Sequence, residues 1–278
     1  WGGGVSVPAG RGPLVFHGGY DRRESEDLSI PGFAESELLR AQEEEKGGEA
    51  HEEEEEAFGV LPNSAVETTS GTVGASYVGH SGFFGASWTG FDTLYGVPGG
   101  HSHEEHADEE GPVRIDLRQR RVDVRGARTE PFGAFRAAKV RFGVTDYEHQ
   151  ELEGEEVGTL FLNDAWEGRF ELLHKPLGAL TGSLGLQLAS RDFEAIGEEA
   201  FVPPTQTRAY ALFAFEEVGQ GTWRGQFGGR FEHQNVKALG DVDLERSFGG
   251  VSGSAGLVYR GSGSFGSVAS PAIVWTFV

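Results

Sequence analysis

The residues with the clearest capacity for chemistry lie in the stretch 100–111, GHSHEEHADEEG. Three histidines and five carboxylates fall within residues 101–110, and no basic residue separates them. Neutral imidazole binds zinc, copper, nickel and iron, and carboxylates add charge and further ligand atoms. The stretch therefore predicts a site for a divalent metal, with a solvated charge run as the alternative. The candidate ligands are His101, His103, His106, Glu104, Glu105 and Asp108.

The spacing of the three histidines allows them to converge on one ion. In an extended segment His101 and His103 point the same way, and His106 joins them after a turn. Zinc takes about four ligands, so the neighbouring carboxylates complete the set. Copper and nickel accept the same donors and stay open as alternatives. Calcium takes oxygen ligands, and the clustered imidazoles argue against it.

Two weaker candidates have a similar composition. His51 precedes a run of glutamates at 52–56, which predicts either a metal ligand or an electrostatic funnel for cations. His149 stands beside Glu148, Glu151 and Glu153 at the predicted end of a strand. Both histidines therefore join the predicted metal ligands, ranked after those of the 100–111 stretch.

The composition excludes several function classes. The chain contains no Cys, which rules out a disulfide framework, a cysteine nucleophile and a cysteine-ligated zinc site. The sequence motifs of serine hydrolases and of P-loop nucleotide-binding proteins do not occur, so the chain is predicted not to be an enzyme. The net charge of −21 disfavours nucleic acid, whose phosphates need Lys and Arg contacts.

Most of the negative charge is confined to two segments. Residues 24–56 carry 14 acidic residues against Arg40 and Lys46. Residues 101–110 carry five more and no base. A strongly negative surface attracts cations, so both segments are expected to be exposed loops that concentrate metal ions.

The domain organisation is predicted to be simple. One β domain spans 1–278, with acidic insertions at 23–65 and 96–112, and a short helix is expected at 34–45. No apolar run approaches the roughly 18–20 residues of a transmembrane helix. The chain begins at Trp1 and contains no Met, which predicts that processing or truncation removed a preceding segment.

About twelve antiparallel strands are predicted from period-2 alternation and Gly-rich turns. The connections between them alternate between short and long. The short ones lie near 10–12, 80–81, 129–135, 175–179, 218–221 and 261–264. The long, more acidic ones lie near 23–65, 96–112, 150–156, 194–205 and 237–245. In an up-and-down meander this places all short turns at one end, as in outer-membrane barrels.

The strands also have two chemically different faces. Val140 and Phe142 alternate with Lys139 and Arg141, and other strands repeat the pattern. This alternation fits a lipid-facing outside and a wet inside. The strand 113–128 changes the phase of its alternation midway, which predicts a bulge or a position at the rim. The fold class is therefore an all-β, antiparallel up-and-down transmembrane β-barrel with long acidic and His-rich loops.

Several strand and loop segments together resemble the barrel of TonB-dependent outer-membrane receptors. The similarity is greatest to the zinc-uptake subfamily, whose outside loops are rich in His and acids, and it covers roughly residues 13–260. The segments are 28–39 (LSIPGFAESELL), 58–79 (FGVLPNSAVETTSGTVGASYVG), 91–99 (FDTLYGVPG) with the loop after it, 113–117 (VRIDL), 142–159 (FGVTDYEHQELEGEEVGT) and 191–204 (RDFEAIGEEAFVPP).

The resemblance implies a bacterial outer-membrane transporter for Zn²⁺, with Cu²⁺ or Ni²⁺ as alternatives. Its partners would be outer-membrane lipid and an inner-membrane TonB complex that delivers energy through a plug domain. That family has a barrel of about 22 strands, so the chain is expected to be a fragment without the plug. A small stand-alone outer-membrane channel or a cation-binding surface barrel is the alternative function.

Overall fold

The computed structural model describes residues 1–38, 40, 57–98, 112–154, 156–197, 200–240, 244–259 and 272–277. Nearly all of them form β-strands. In chain order these are β1 (Gly2–Arg11), β2 (Leu14–Ser25), β3 (Leu28–Phe33), β4 (Phe58–Leu61), β5 (Val66–Gly79), β6 (Gly82–Gly96), β7 (Val113–Arg128), β8 (Phe135–Glu153), β9 (Glu156–His174), β10 (Leu180–Gly197), β11 (Thr205–Gln220), β12 (Trp223–Ala238), β13 (Leu244–Tyr259) and β14 (Ala272–Phe277).

Twelve of the strands form one antiparallel sheet in simple chain order, from β1 and β2 through β5 to β14. Within the described residues, β1 and β14 each pair with one neighbour, so this part of the chain is a wall with two edges. The predicted all-β, antiparallel up-and-down fold is confirmed. No helix in the described part of the chain is long and apolar enough to cross a membrane.

The first insertion contains a hairpin that the sequence analysis did not predict. Strands β3 and β4 pair with each other and form a separate two-stranded sheet. Of the helix predicted at 34–45, only residues 34–38 and 40 are described. They include one helical turn, in which the N–H of Arg40 donates to the carbonyl of Ser36 over 3.1 Å.

The sheet has one apolar face and one polar face because side chains alternate along each strand and register partners share a face. On the apolar face, Leu186 pairs with Leu212, which pairs with Phe231. Arg141 and Arg169 pair on the polar face. The alternation in the sequence therefore predicted both faces correctly.

Very few side chains are buried between elements. Apart from buried glycines, the buried residues in the described part of the chain are Ile115, Ala211, Thr93 and Thr159, and large apolar side chains such as Leu212 and Phe227 are more than half exposed. A soluble protein does not leave so wide an apolar surface in water. The apolar face of the wall therefore fits contact with a lipid bilayer better than contact with water.

The apolar band does not extend over the full length of the strands. In β8 it ends at Val144, and Asp146 and Glu148 follow on the same face. Ion pairs lie at the same level elsewhere: Arg22 and Glu67 are 2.5 Å apart, and Arg120 and Asp92 are 2.7 Å apart. The strands therefore continue past the membrane by several residues on the side from which the long loops leave.

The phase change in β7 does not come from a bulge, because its pairing with β6 and β8 is unbroken. Val122 and Val124 lie on the apolar face, and Ile115 and Leu117 lie on the polar face. The apolar residues change sides where the strand leaves the apolar band. The predicted bulge in β7 is therefore wrong, and the alternative prediction, a position at the rim, agrees with the register.

The connections define two ends of the wall, which we call the turn end and the loop end. Short connections at 12–13, 80–81, 129–134, 175–179 and 221–222 lie at the turn end. The connections at 26–65, 97–112, 154–155, 198–204 and 239–243 lie at the loop end.

The acidic loop predicted at 150–156 is wrong. Strand β8 runs to Glu153 and β9 begins at Glu156, with Gly154 at φ +61° between them. Acidic residues can stay in the strands because a barrel strand exposes its inward-facing side chains to water without leaving the sheet.

Candidate metal-capture site

The six ligands predicted in the 100–111 stretch and His51 lie outside the described residues. The structure does describe the bases from which both segments leave. The first leaves after β6 and returns at β7, and the second leaves the β3–β4 hairpin. Both bases are at the loop end, as the sequence analysis expected for the loops themselves.

One side chain ties the two bases together. The Nδ2 group of Asn63 donates to the carbonyl oxygen of Val97 over 3.1 Å and to that of Val113 over 2.7 Å. These two carbonyls lie on the outgoing and returning sides of the His-rich loop. Asn63 itself follows β4, in the acidic insertion. Its amide therefore joins the His51 segment to the base of the loop that contains His101, His103 and His106.

We call the two hydrogen bonds from the Asn63 amide the Asn63 clasp. Two backbone positions with unusual conformation or close packing make it possible. Asn63 has φ +55°, a left-handed conformation that Asn adopts more readily than most residues. A Cβ added to Gly96 would lie 2.2 Å from the carbonyl oxygen of Asn63. Gly at 96 is therefore required for the insertion to approach β6 this closely.

A second set of hydrogen bonds holds the insertion at its entry. Asp27 Oδ1 accepts from the backbone N–H of Ser64 over 2.8 Å and from that of Ala65 over 2.9 Å. Ser64 Oγ accepts from the N–H of Leu28 over 2.8 Å and donates to the carbonyl of Leu61 over 2.7 Å. The two ends of the β3–β4 unit are thus fixed to each other next to Asn63.

The end of β3 and the start of β4, which flank the acidic segment, are also held together. The N–H of Ala34 donates to the carbonyl of Ala57 over 2.9 Å. The rings of Phe33 and Phe58 meet edge to face at 4.8 Å, and the Arg40 guanidinium lies 4.1 Å from the Phe33 ring centre. The described residues on either side of 41–56 therefore form a packed base.

His149 lies on the polar face of β8, beyond the end of the apolar band. Its Nδ1 is 3.0 Å from the Tyr147 hydroxyl, and its ring stacks on Phe161 at 4.4 Å. Burial lowers the pKa of the His149 imidazole below its ordinary value, which favours the neutral form that metals bind. Burial likewise raises the pKa of the Tyr147 hydroxyl.

The carboxylates predicted beside His149 do not all lie near it. Glu151 and Glu153 share its face of β8, whereas Glu148 points to the opposite face and accepts a hydrogen bond from Gln150 over 3.0 Å. Within the described residues, no group of three His, Asp or Glu side chains is arranged to hold a metal. The metal role of His149 stays a prediction.

The polar face carries a charged network that the sequence analysis missed. Gln187 is at its centre: its amide donates to Glu167 over 2.7 Å, and its carbonyl oxygen accepts from Arg230 over 3.2 Å and from Arg169 over 3.4 Å. Each arginine also binds the carboxylate two residues along, Glu171 at 2.6 Å and Glu232 at 2.8 Å.

A signal for this network exists in the sequence. Arg-x-Glu or Arg-x-Asp inside a strand places both charges on one face, since side chains repeat every two residues. The pattern occurs at 169–171 and 230–232, and also in β7, where Arg121 binds Asp123 over 2.8 Å. Paired charges of this kind suit the water-facing interior of a barrel.

Comparison with known proteins gives the context of this wall. Residues 56–272 match the family described as TonB dependent receptor-like, beta-barrel. The fold is similar to that of the FrpB iron transporter from Neisseria meningitidis, at 11% identity and a TM-score of 0.69, over 93% of this chain and 42% of that one. At this identity the likeness concerns the fold alone.

Two further solved structures are similar to the same extent. The copper transporter OprC shares 10% identity with a TM-score of 0.71, over 94% of this chain and 40% of that one. The ferric citrate transporter FecA in the unliganded form shares 12% identity with a TM-score of 0.62, over 92% of this chain and 38% of that one. The chain thus spans about two fifths of the length of these structures.

Proposed function

The chain belongs to the TonB-dependent receptor β-barrel family, and from that premise we propose that it forms part of a receptor for zinc or a similar divalent metal. The loops at 48–57 and 100–111 capture the ion. The observation that carries this proposal is the Asn63 clasp, which joins the bases of the two His- and acid-rich segments at the loop end.

Barrels of this family lie in the bacterial outer membrane, so the predicted localisation is confirmed. The family serves transport and not catalysis, which agrees with the prediction that the chain is not an enzyme. The apolar band is therefore the lipid-facing surface of the wall, and the network around Gln187 lies on the inside.

Capture would proceed in two stages. The acidic residues of both segments first raise the local concentration of cations through their combined field. Neutral imidazoles of His101, His103 and His106 then replace water on the ion, with Glu104, Glu105 and Asp108 supplying oxygens. A common base limits how far apart the segments can move, which reduces the ordering cost of forming such a site.

The polar face offers a route inward from the loops. His149 lies on the inner side of β8 near the loop end, and its neutral imidazole is available as a later ligand. The ion would be passed from the loops towards the interior and released with energy from a TonB complex. Both the transfer and the coupling are part of the proposal.

Calorimetric titration of the refolded chain in detergent tests the capture step. Zinc is added against an excess of calcium to the wild-type chain and to the variant His101→Ala/His103→Ala/His106→Ala. We expect micromolar or tighter binding in the wild type and a loss of about tenfold or more in the variant, because three nitrogen donors are removed.

A matched control removes three histidines from other places, with the variant His17→Ala/His80→Ala/His174→Ala. It should bind zinc as the wild type does. Weak binding that calcium displaces, or equal losses in both triple variants, would refute capture by the 100–111 loop. Repeating the titration with copper and nickel then ranks the metals.

A further inference from the structure

A groove of about 490 Å³ opens on the lipid-facing side of the wall, across β9 to β12. It lies where the apolar band ends and the polar level begins. Its lining combines apolar, aromatic and cationic side chains. The main ones are Trp166, Leu188, Ser190, Arg208, Tyr210 and His233.

The register arranges these side chains in rows that run across the strands. One row contains Trp166, Ser190, Arg208 and Asn235. The next row towards the turn end contains Leu188, Tyr210 and His233, with the Tyr210 and His233 rings 5.3 Å apart. The third row is wholly apolar, with Phe170, Leu186, Leu212 and Phe231. The groove is thus polar at one end and continuous with the apolar band at the other.

Arg208 differs from three other arginines on the lipid-facing side of the wall, near its loop end. Arg22, Arg118 and Arg120 each pair with a carboxylate, at 2.5, 3.3 and 2.7 Å. Within the described residues, Arg208 is exposed and has neither an ion pair nor a hydrogen bond. Its guanidinium is therefore free to bind an anion.

The polar groups next to Arg208 are hydrogen-bonded to other residues, so Arg208 is the group that can bind an anion. Asp192 accepts a hydrogen bond from the Gln206 amide over 2.8 Å, and Asn235 donates to Glu245 over 2.7 Å. Asp164 and Asp192 are register partners one row nearer the loop end. Their carboxylates therefore lie at the edge of the groove that faces water. An anion that avoids these carboxylates must approach from the membrane side.

We propose that this groove binds the phosphate-bearing head group of an anionic lipid of the surrounding membrane. The phosphate binds Arg208, whose planar guanidinium matches phosphate geometry. One acyl chain extends from the groove towards the turn end, across the apolar row of Leu186, Leu212 and Phe231. Trp166 and Tyr210 flank the head-group region, a level at which aromatic rings with a polar edge are favoured. The proposal concerns the outer side of the wall and is independent of metal capture.

Lipid binding is measured by native mass spectrometry on the full chain refolded in detergent. The probes are phosphatidylglycerol and phosphatidylcholine with identical acyl chains, so they differ only in the head group, which is anionic in the first and zwitterionic in the second. We expect tighter binding of phosphatidylglycerol, and a loss of about tenfold in its affinity in Arg208→Gln, since a charge-assisted contact is removed. Arg208→Lys, which keeps the charge without the planar fork, should lose less.

Arg120→Gln is the matched control, because Arg120 lies on the same side, one register row nearer the loop end, but is paired and outside the groove. It should change phosphatidylglycerol binding by less than about twofold. Equal affinity for both lipids, unchanged binding in Arg208→Gln, or equal losses in both variants would overturn the proposal. So would displacement of the lipid by an equal concentration of inorganic phosphate, which would indicate a site for free anions.

Discussion

At the scale of single residues, the environment of His149 decides its charge. The ring is stacked on Phe161 and lies 3.0 Å from the Tyr147 hydroxyl. Removal from water disfavours the charged imidazolium, so the pKa is lowered. The neutral form gains stability in the folded chain; this contribution is complete above the ordinary pKa of about 6.5 and is lost as the pH falls through the lowered value.

NMR titration of the histidine ring signals should give His149 a midpoint below that of an exposed histidine. The signal is assigned by its absence in His149→Gln. Phe161→Val lets water reach the ring and should raise the midpoint towards about 6.5. Phe193→Val is the control, because Phe193 contacts Phe161 at 6.4 Å and not His149. A wild-type midpoint at or above the ordinary value would contradict the inferred burial.

At the scale of elements, the β3–β4 unit and the base of the β6–β7 loop act together. Two hydrogen bonds from one amide join them, and each typically contributes about 0.5–1.5 kcal/mol. The contacts around Asp27 and Ser64 are within the insertion itself, and the bond from the Gly96 N–H to the carbonyl of Ala65, 3.2 Å, continues the β5–β6 pairing. The Asn63 side chain is therefore the group that couples the His51 segment to the base of the 100–111 loop.

Asn63→Asp tests this coupling with an almost isosteric side chain. Asp tolerates the left-handed backbone but replaces two N–H donors by an oxygen that repels the carbonyls of Val97 and Val113. We expect zinc affinity to fall several-fold and limited proteolysis within 97–113 to become faster. The strands should keep their β-type circular dichroism. Unchanged affinity and proteolysis would show that the clasp is dispensable.

The two faces of β13 provide a second prediction at this scale. Ala255 lies in the middle of the lipid-facing band, and Ser254 lies beside it on the inner face. Ala255→Arg should destabilise the folded barrel by about 2–4 kcal/mol, because the charge is placed near the bilayer midplane. Ser254→Arg adds the same side chain to a wet interior and should cost less than about 1 kcal/mol. Urea titration in vesicles, followed by tryptophan fluorescence, compares them.

At the scale of the whole molecule, the orientation of the wall decides which side of the outer membrane the loop end faces. Twelve strands in simple order send every second connection to the same end. The His-rich loops and the Asn63 clasp lie at the loop end, whereas 80–81 and 175–179 lie at the turn end. The proposed function needs the loop end to face the outside of the cell.

The absence of cysteine makes this orientation easy to measure. A membrane-impermeant thiol reagent added to intact cells should label Ser102→Cys, in the His-rich loop. Ser81→Cys, in a turn at the opposite end, should be labelled only after the outer membrane is permeabilised. The wild-type chain supplies the background, since it has no thiol. Labelling of Ser81→Cys alone in intact cells would reverse the orientation and exclude capture from outside.

Local pattern was sufficient for most of the strands. The predicted connection at 80–81 separates β5 from β6, and the predicted strand 113–128 coincides with β7, because alternation and a two-residue turn are properties of neighbouring residues. Composition was a poorer guide: the glutamates at 151 and 153 predicted a loop, yet both lie in β8. Charge predicts exposure, and a barrel strand can expose a residue to water without leaving the sheet.

The sequence by itself determined the fold class, the two faces and the end at which the acidic segments leave the wall. The metal-binding role of His101, His103 and His106 stays a prediction from the sequence. The tertiary structure decided which distant residues meet. The Asn63 amide reaches Val113, 50 positions away, and Gln187 meets Arg230, 43 positions away. Such contacts depend on strand register and on the path of the insertion. They arise from pairing across the whole sheet, which no local pattern encodes.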